Sequence, residues 1–398
     1  MPARPTTSPR AALLVAGVAL FTDLFVYGVA IPVLPLLPAV VGAGPSATGF
    51  LFASYAVAMV VVTPLAGRAV DRFGTRGPLM AGLVGLAVAV LLFTAGGPFW
   101  LLLVARTAQG AAGGLAWVAS MALIAAVTPL ERRGQAFGVA MSAVSVGLLV
   151  GPPVAGVLVA AFGPAAPFVV AAALAVVDGV LRLVLVRATP PSDDDVAGPT
   201  ALVRVPGTVS IVGAVVVGAA LLSATEPVLP LQLTSRFGLD AAGVGLVFAV
   251  AVLTSILANL VVGRWTATTS PRVLIGAGAA AGALSLAVVG LVDDVWAVSA
   301  GMGLLGVATA LVFVPATVLI GEQGARAVPP TLGGAYALFN LAYAGGIALG
   351  PIVAGSAVEG MGFGSALLLV AAATLAGGLA ALVRLPGATP PTALDQAR

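Results

Sequence analysis

Asp23, Arg106 and Glu226 each lie inside a long apolar stretch of this chain. A charge in hydrocarbon costs about 2.5–3.5 kcal/mol on insertion scales, so each of the three marks a functional hypothesis by default. Such a carboxylate can hold a proton or a cation, and an arginine nearby can pair with it or compete for the proton. Asp23 lies about 12 residues into its stretch, roughly 18 Å from one edge. Arg106 lies about 8 residues into its own stretch from the opposite edge, which gives a similar depth. The two either form a structural ion pair that helps two helices find each other, or share a proton. Tyr27 follows Asp23 by one helical turn, shares its face and could line the same cavity. Glu226 directly precedes a proline, where it is either a proton or cation site beside freed backbone carbonyls or an acid snorkelling to the interface. Asp178 with Arg182, and Glu322 with Arg326, have i,i+4 spacing. The first reads as a local ion pair, the second as either a gate contact or a solvated pair.

The elements that must position these groups are long helices. Hydrophobic residues make up 60% of the chain and charged ones 8%, far from a soluble domain. Apolar stretches run at about 11–38, 47–66, 78–96, 98–127, 136–160 and 165–187, then at about 207–233, 241–262, 273–292, 295–320, 332–357 and 362–384. Each reaches or approaches the ~20 residues that a helix needs to cross the hydrocarbon. The second six repeat the first. Pro32-Val33-Leu34-Pro35-Leu36 returns as Pro227-Val228-Leu229-Pro230-Leu231. Gly151-Pro152-Pro153-Val154-Ala155-Gly156 returns as Gly350-Pro351-Ile352-Val353-Ala354-Gly355, and Gly67-Arg68 as Gly263-Arg264. The expected fold is an all-α membrane protein of 12 transmembrane helices in two parallel six-helix repeats. Residues 1–187 and 207–398 form the bundles, and a polar linker over 188–206 joins them. Asp193, Asp194 and Asp195 in that linker read as solvated chain.

All 17 basic residues are arginine. With the N-terminus cytoplasmic, Arg236 alone falls on the outer side and Arg106 inside a span, while the rest are cytoplasmic, as the positive-inside rule requires. Both termini are therefore expected in the cytoplasm, and the basic charge reflects topology, with no nucleic acid as partner. Without cysteine there is no disulfide or thiolate metal site. There is no phosphate-cradling P-loop to use ATP and no hydrolase motif, so neither a cofactor nor an enzymatic activity is expected. Glycines cluster on matching helices: Gly110, Gly113 and Gly114 after Arg106 and Gln109, then Gly147, Gly151 and Gly156, and later Gly345, Gly346, Gly350 and Gly355. Small residues let backbones approach closely, and their placement in both copies points to surfaces that rock past one another.

The segment Gly67-Arg68-Ala69-Val70-Asp71-Arg72-Phe73-Gly74-Thr75-Arg76, between the second and third stretches, resembles the signature loop of the major facilitator superfamily. Arg106-Thr107-Ala108-Gln109-Gly110 resembles its helix 4 motif, and Gly147 to Gly156 the helix 5 motif of antiporters. The resemblance implies that Asp71 docks at the N-terminus of helix 11, and that Arg72 or Arg76 meets Glu131 at the end of helix 4, with Thr75 standing where a base is usual. Closer still is the likeness to drug:proton antiporters and vesicular amine transporters, carried by Leu51-Phe52-Ala53-Ser54, Val177-Asp178-Gly179, Glu226-Pro227, Asp23 and Glu322. It implies that Asp23 and Glu226 bind substrate and protons, that Arg106 tunes Asp23, and that Glu322 joins the gating charges. Tyr55 and Asn340 stand where those transporters carry a lysine and an aspartate that pair across the halves, and a hydrogen bond between the two could replace that ion pair.

The function so implied is proton-coupled export of small lipophilic cations, as in multidrug efflux and antibiotic resistance, by a monomer of the plasma membrane. The alternative is an uncoupled facilitator, or a carrier of a neutral metabolite, on the same fold.

Overall fold

A computed structural model describes residues 8–128, 130–186, 200–328 and 332–385. The long helices are α1 (Pro9–Val33), α2 (Gly44–Phe73), α3 (Arg76–Ala95), α4 (Phe99–Val127), α5 (Leu130–Phe162) and α6 (Ala166–Leu185). They continue as α7 (Thr208–Ser223), α8 (Ala241–Trp265), α9 (Pro271–Leu291), α10 (Val295–Arg326), α11 (Leu332–Met361) and α12 (Phe363–Arg384). Among the described residues there is no strand, and all of these twelve helices but α7 are long and apolar enough to cross a membrane. Asp193 to Asp195 lie outside the described residues.

Three expectations change. The stretch expected over 207–233 is not one helix: α7 stops at Ser223, and a separate helix runs over Leu229–Phe237. Pro227 and Pro230 cannot donate backbone hydrogen bonds, so the ladder gives way around them and Glu226 falls in the gap. In the first copy α1 carries Pro32 within the helix, and the change comes at a 3-10 turn over Leu34–Leu36. The signature segment is largely helical rather than a loop. Gly67 to Phe73 are the last turns of α2, and the turn itself is Gly74-Thr75, with Gly74 at φ +71° where a side chain would be strained. Finally, Glu131 lies in the first turn of α5, not at the end of α4.

Within the first half α1 packs on α5, and α4 on both α2 and α3; in the second, α7 packs on α11, and α10 on α8 and α9. The halves meet where α2 lies along α11 and α5 along α8. The repeated glycines allow this contact. A Cβ at Gly49 of α2 would strike the Pro351 carbonyl of α11, and one at Gly245 of α8 would strike the Pro152 carbonyl of α5. Gly355 and Gly156 do the same one turn on, against Pro45 and Ala241.

Toward the end that carries the α1–α2 connection, the halves share one apolar core. Phe25, Leu34 and Leu51 are buried in it with Leu229, Val244 and Leu367. Toward the other, arginine-bearing end the core divides by half, into Val15, Leu79 and Leu123 on one side and Ile211, Leu319 and Ile320 on the other. The halves are thus closed on each other at the α1–α2 end.

Candidate functional site

The site is built on α1, α2, α4 and the break after α7. Asp23 and Tyr27 project from one face of α1, as their spacing requires, and both are buried. Tyr55 of α2 donates its phenolic O–H to Asp23 Oδ2 at 3.1 Å, and Asp23 Oδ1 has no hydrogen-bond partner. Tyr27 donates to Glu226 Oε2 at 2.6 Å, a buried bond that joins the first half to the second. The rings of Tyr27 and Tyr55 meet edge to face, centroids 4.9 Å apart, so the two phenol–carboxylate pairs form one continuous cluster.

Arg106 of α4 is fully buried at the centre of the cluster, yet it forms no ion pair within 4.0 Å with either carboxylate. Its Nη1 donates to Gln109 Oε1 at 2.8 Å, one turn along α4. Its guanidinium lies over the rings of Tyr27, Phe52 and Tyr55, at 4.6, 5.0 and 5.0 Å from their centroids. Aromatic faces attract a cation, more strongly where water is excluded. Nε and Nη2 have no partner, nor does Gln109 Nε2. The cluster therefore holds one fixed cation, two carboxylates and several unused buried donors and acceptors. With both carboxylates ionised it carries one net negative charge, which one proton or one organic cation neutralises. A buried charge left unbalanced is costly, so this arrangement favours taking up one further positive charge.

Of the two alternatives for Asp23 and Arg106, the ion pair is not formed, because the rings take the guanidinium and Tyr55 takes the carboxylate. The hydrogen bond drawn between Tyr55 and Asn340 is corrected. Tyr55 spends its one proton on Asp23, and Asn340, half-buried on α11, is not bonded to it. Gln109, Phe52 and Gly113 belong to the site and were not singled out as members from the sequence. A Cβ on Gly113 would stand 2.8 Å from Asp23 Oδ2 and 3.0 Å from the Tyr55 hydroxyl, so the bare α4 backbone makes room for both. The i+3 spacing of Gln109 from Arg106 was the available signal for that pair.

The residues that the resemblance assigns to gating lie elsewhere. Gly67 faces open space, Arg72 and Arg76 are exposed at the arginine-bearing end, and Arg72 lies over its neighbour Phe73. The side chains of Asp71 and Glu131 lie outside the described residues, so the contacts drawn for them are not described. Glu322 and Arg326 pair at 3.5 Å with both side chains nearly half exposed. Gly151 sits on Gly28 of α1 and Gly350 on Ala220 of α7, while Pro152 and Pro351 receive Gly245 and Gly49 across the halves. Asp178 and Arg182 form a fully buried ion pair on α6, and Arg182 also donates to the Leu79 carbonyl of α3.

Residues 16–225 and 211–398 each match the Major Facilitator Superfamily. The chain is 29% identical to the chromaffin granule amine transporter of Homo sapiens over 326 residues, 79% of this chain and 61% of that protein, so it spans less than two thirds of that relative. It is 26% identical to the vesicular acetylcholine transporter of Drosophila melanogaster over 94% of this chain and 71% of that one. It is 30% identical to the probable vesicular acetylcholine transporter-B of Danio rerio over 90% and 76%. Among solved structures it is similar to the nucleoside transporter NupG, with a TM-score of 0.73, 14% identity and coverage of 94% of this chain and 100% of that one. It is also similar to a bacterial homologue of the human lysosomal transporter Spinster, with a TM-score of 0.71 and 13% identity over 95% and 93%. At these identities the two structures bear on the fold alone. The proteins named are transporters, not enzymes.

Proposed function

Since the chain belongs to the major facilitator superfamily, we propose that it is a proton-coupled exporter of protonated amine-type organic cations, working by alternating access. The observation that carries this reading is the charge balance of the buried cluster: Asp23 and Glu226 against Arg106 alone, each acid held by one phenol. A proton or an organic cation completes that balance equally well, so the two compete for one place. Neutralising the site before the halves close avoids carrying a bare carboxylate through a dry state. The electrical part of the driving force is worth roughly 2.3 kcal/mol per charge per 100 mV.

Glu226 is bonded to Tyr27 of the other half, so whatever neutralises it also changes a bond between the halves. That is the link from ligand to conformation. In this reading 1–187 and 207–398 move against each other as two bodies joined by 188–206, and the protein acts as a monomer. The α1–α2 end is outside, both termini are in the cytoplasm of a plasma-membrane protein, and the closed α1–α2 end makes the present state inward-facing. The site's aromatic lining and few fixed donors suit a range of lipophilic cations, including drugs and antibiotics.

The test is proton release in weakly buffered detergent as lipophilic ammonium ions are added, for the wild type, Asp23→Asn and Glu226→Gln. Release that either substitution abolishes supports exchange at a carboxylate. Cation binding by an independent assay with no protons released would refute coupling at these acids and leave an uncoupled facilitator.

A further inference from the structure

At the closed end the two interfaces between halves are built alike but capped differently. At the start of α8, Asp240 is the N-cap, and its own carboxylate accepts from the Gly243 amide at 2.8 Å. The corresponding N-cap of α2 is Ala43, which has no side-chain acceptor, and Pro45 in the first turn has no amide proton. The Ser46 amide, at the same third helical position as Gly243, is instead taken by Glu359 Oε2 of α11 at 3.2 Å. Glu359 belongs to the other half. It stands one turn from Gly355, whose approach to Pro45 and Gly49 brings the two backbones into contact.

We infer that Glu359 is a gating residue that caps α2 in trans, so that separating α2 from α11 at this end uncaps α2 while separating α5 from α8 leaves α8 capped. An anion at a helix N-terminus is stabilising both as a hydrogen-bond acceptor and through the dipole. Because this one comes from across the interface, its contribution favours the closed end and not the helix alone. The inference rests on the halves separating at this end, as the proposed cycle requires, and not on proton exchange or on any substrate.

The chain has no cysteine, so spin labels can be placed on Phe162→Cys and Trp296→Cys, exposed positions at this end in opposite halves and away from the contact. The distance distribution between them, read in lipid nanodiscs, reports how often the end is open. Glu359→Ala should raise the open-to-closed ratio about fivefold, the effect of a typical N-cap. Ala43→Asp gives α2 a cap of its own, as Asp240 does for α8. It should open the end by a similar factor although Glu359 is intact, and adding Glu359→Ala to it should change nothing further. An unchanged distribution in Glu359→Ala overturns the inference. So does a full effect of Glu359→Ala in the Ala43→Asp background, since Glu359 would then act other than through the Ser46 amide. Loss of proton release in Asp23→Asn bears on the earlier reading and leaves this one untouched.

Discussion

Replacing Tyr27 by Phe removes one atom from the centre of the site and leaves its packing alone. The ring that lies 4.6 Å from the Arg106 guanidinium and 4.9 Å from the Tyr55 ring stays in place. What goes is the 2.6 Å hydrogen bond to Glu226 Oε2. A phenol donating to a carboxylate stabilises the anion more than the acid, and a bond to a charged group is worth about 1.5–3 kcal/mol. If an organic cation binds by replacing a proton on Glu226, the carboxylate must be ionised in the complex. Tyr27→Phe should then weaken binding by about 10- to 100-fold at a fixed pH near neutrality. Tyr27→Leu, which also strips a ring from the buried Arg106, should weaken it further, by about 2 kcal/mol. Equilibrium titration with a lipophilic ammonium ion, read by ligand fluorescence and by proton release together, gives both quantities. The reasoning fails if Tyr27→Phe binds within about twofold of wild type while Glu226→Gln binds at least about tenfold more weakly. Glu226 would then contribute to binding without its bond to α1.

Gly113→Ala should disturb the other carboxylate. The new methyl meets both Asp23 oxygens and the Tyr55 hydroxyl at 3.0 Å or less, overpacking that typically costs about 1–3 kcal/mol. Cation binding should fall about tenfold with helicity by circular dichroism unchanged; unchanged binding would mean that α4 does not set the Asp23–Tyr55 distance. Asp178→Asn should leave Arg182 buried without its counterion, lowering stability by about 3–5 kcal/mol. The measurement is the melting temperature in detergent, where the double change Asp178→Leu with Arg182→Met should recover much of the loss. A melting temperature equal to wild type for the single substitution would show that the pair is not holding α6 to α3.

Much of this protein is determined by its sequence because the bilayer reduces the possibilities. An apolar stretch of about 20 residues without charges has to be a helix where water is absent. The repeated Pro-Val-Leu-Pro and Gly-Pro runs set the doubling, and the depth of Asp23, Arg106 and Glu226 marked them before any neighbour was known. Tyr27 was placed beside Asp23 by the period of the helix alone, and the Asp178–Arg182 pair was equally local.

What the sequence could not decide is which partner each buried group takes. Local spacing says which residues share a face, but not which of several faces will lie opposite across a gap of a few ångströms. Arg106 had Asp23 at a matching depth and instead lies over three aromatic rings; Tyr55 had Asn340 as a candidate and donates to Asp23. The same five letters form a 3-10 turn at the end of α1 and a full interruption after α7, so their surroundings choose between outcomes that the proline permits. Glu359 is the plainest case. A carboxylate near the end of one helix carries no sign that it will cap another some 300 residues away in the chain, because the amide that it satisfies comes near only when the two halves close.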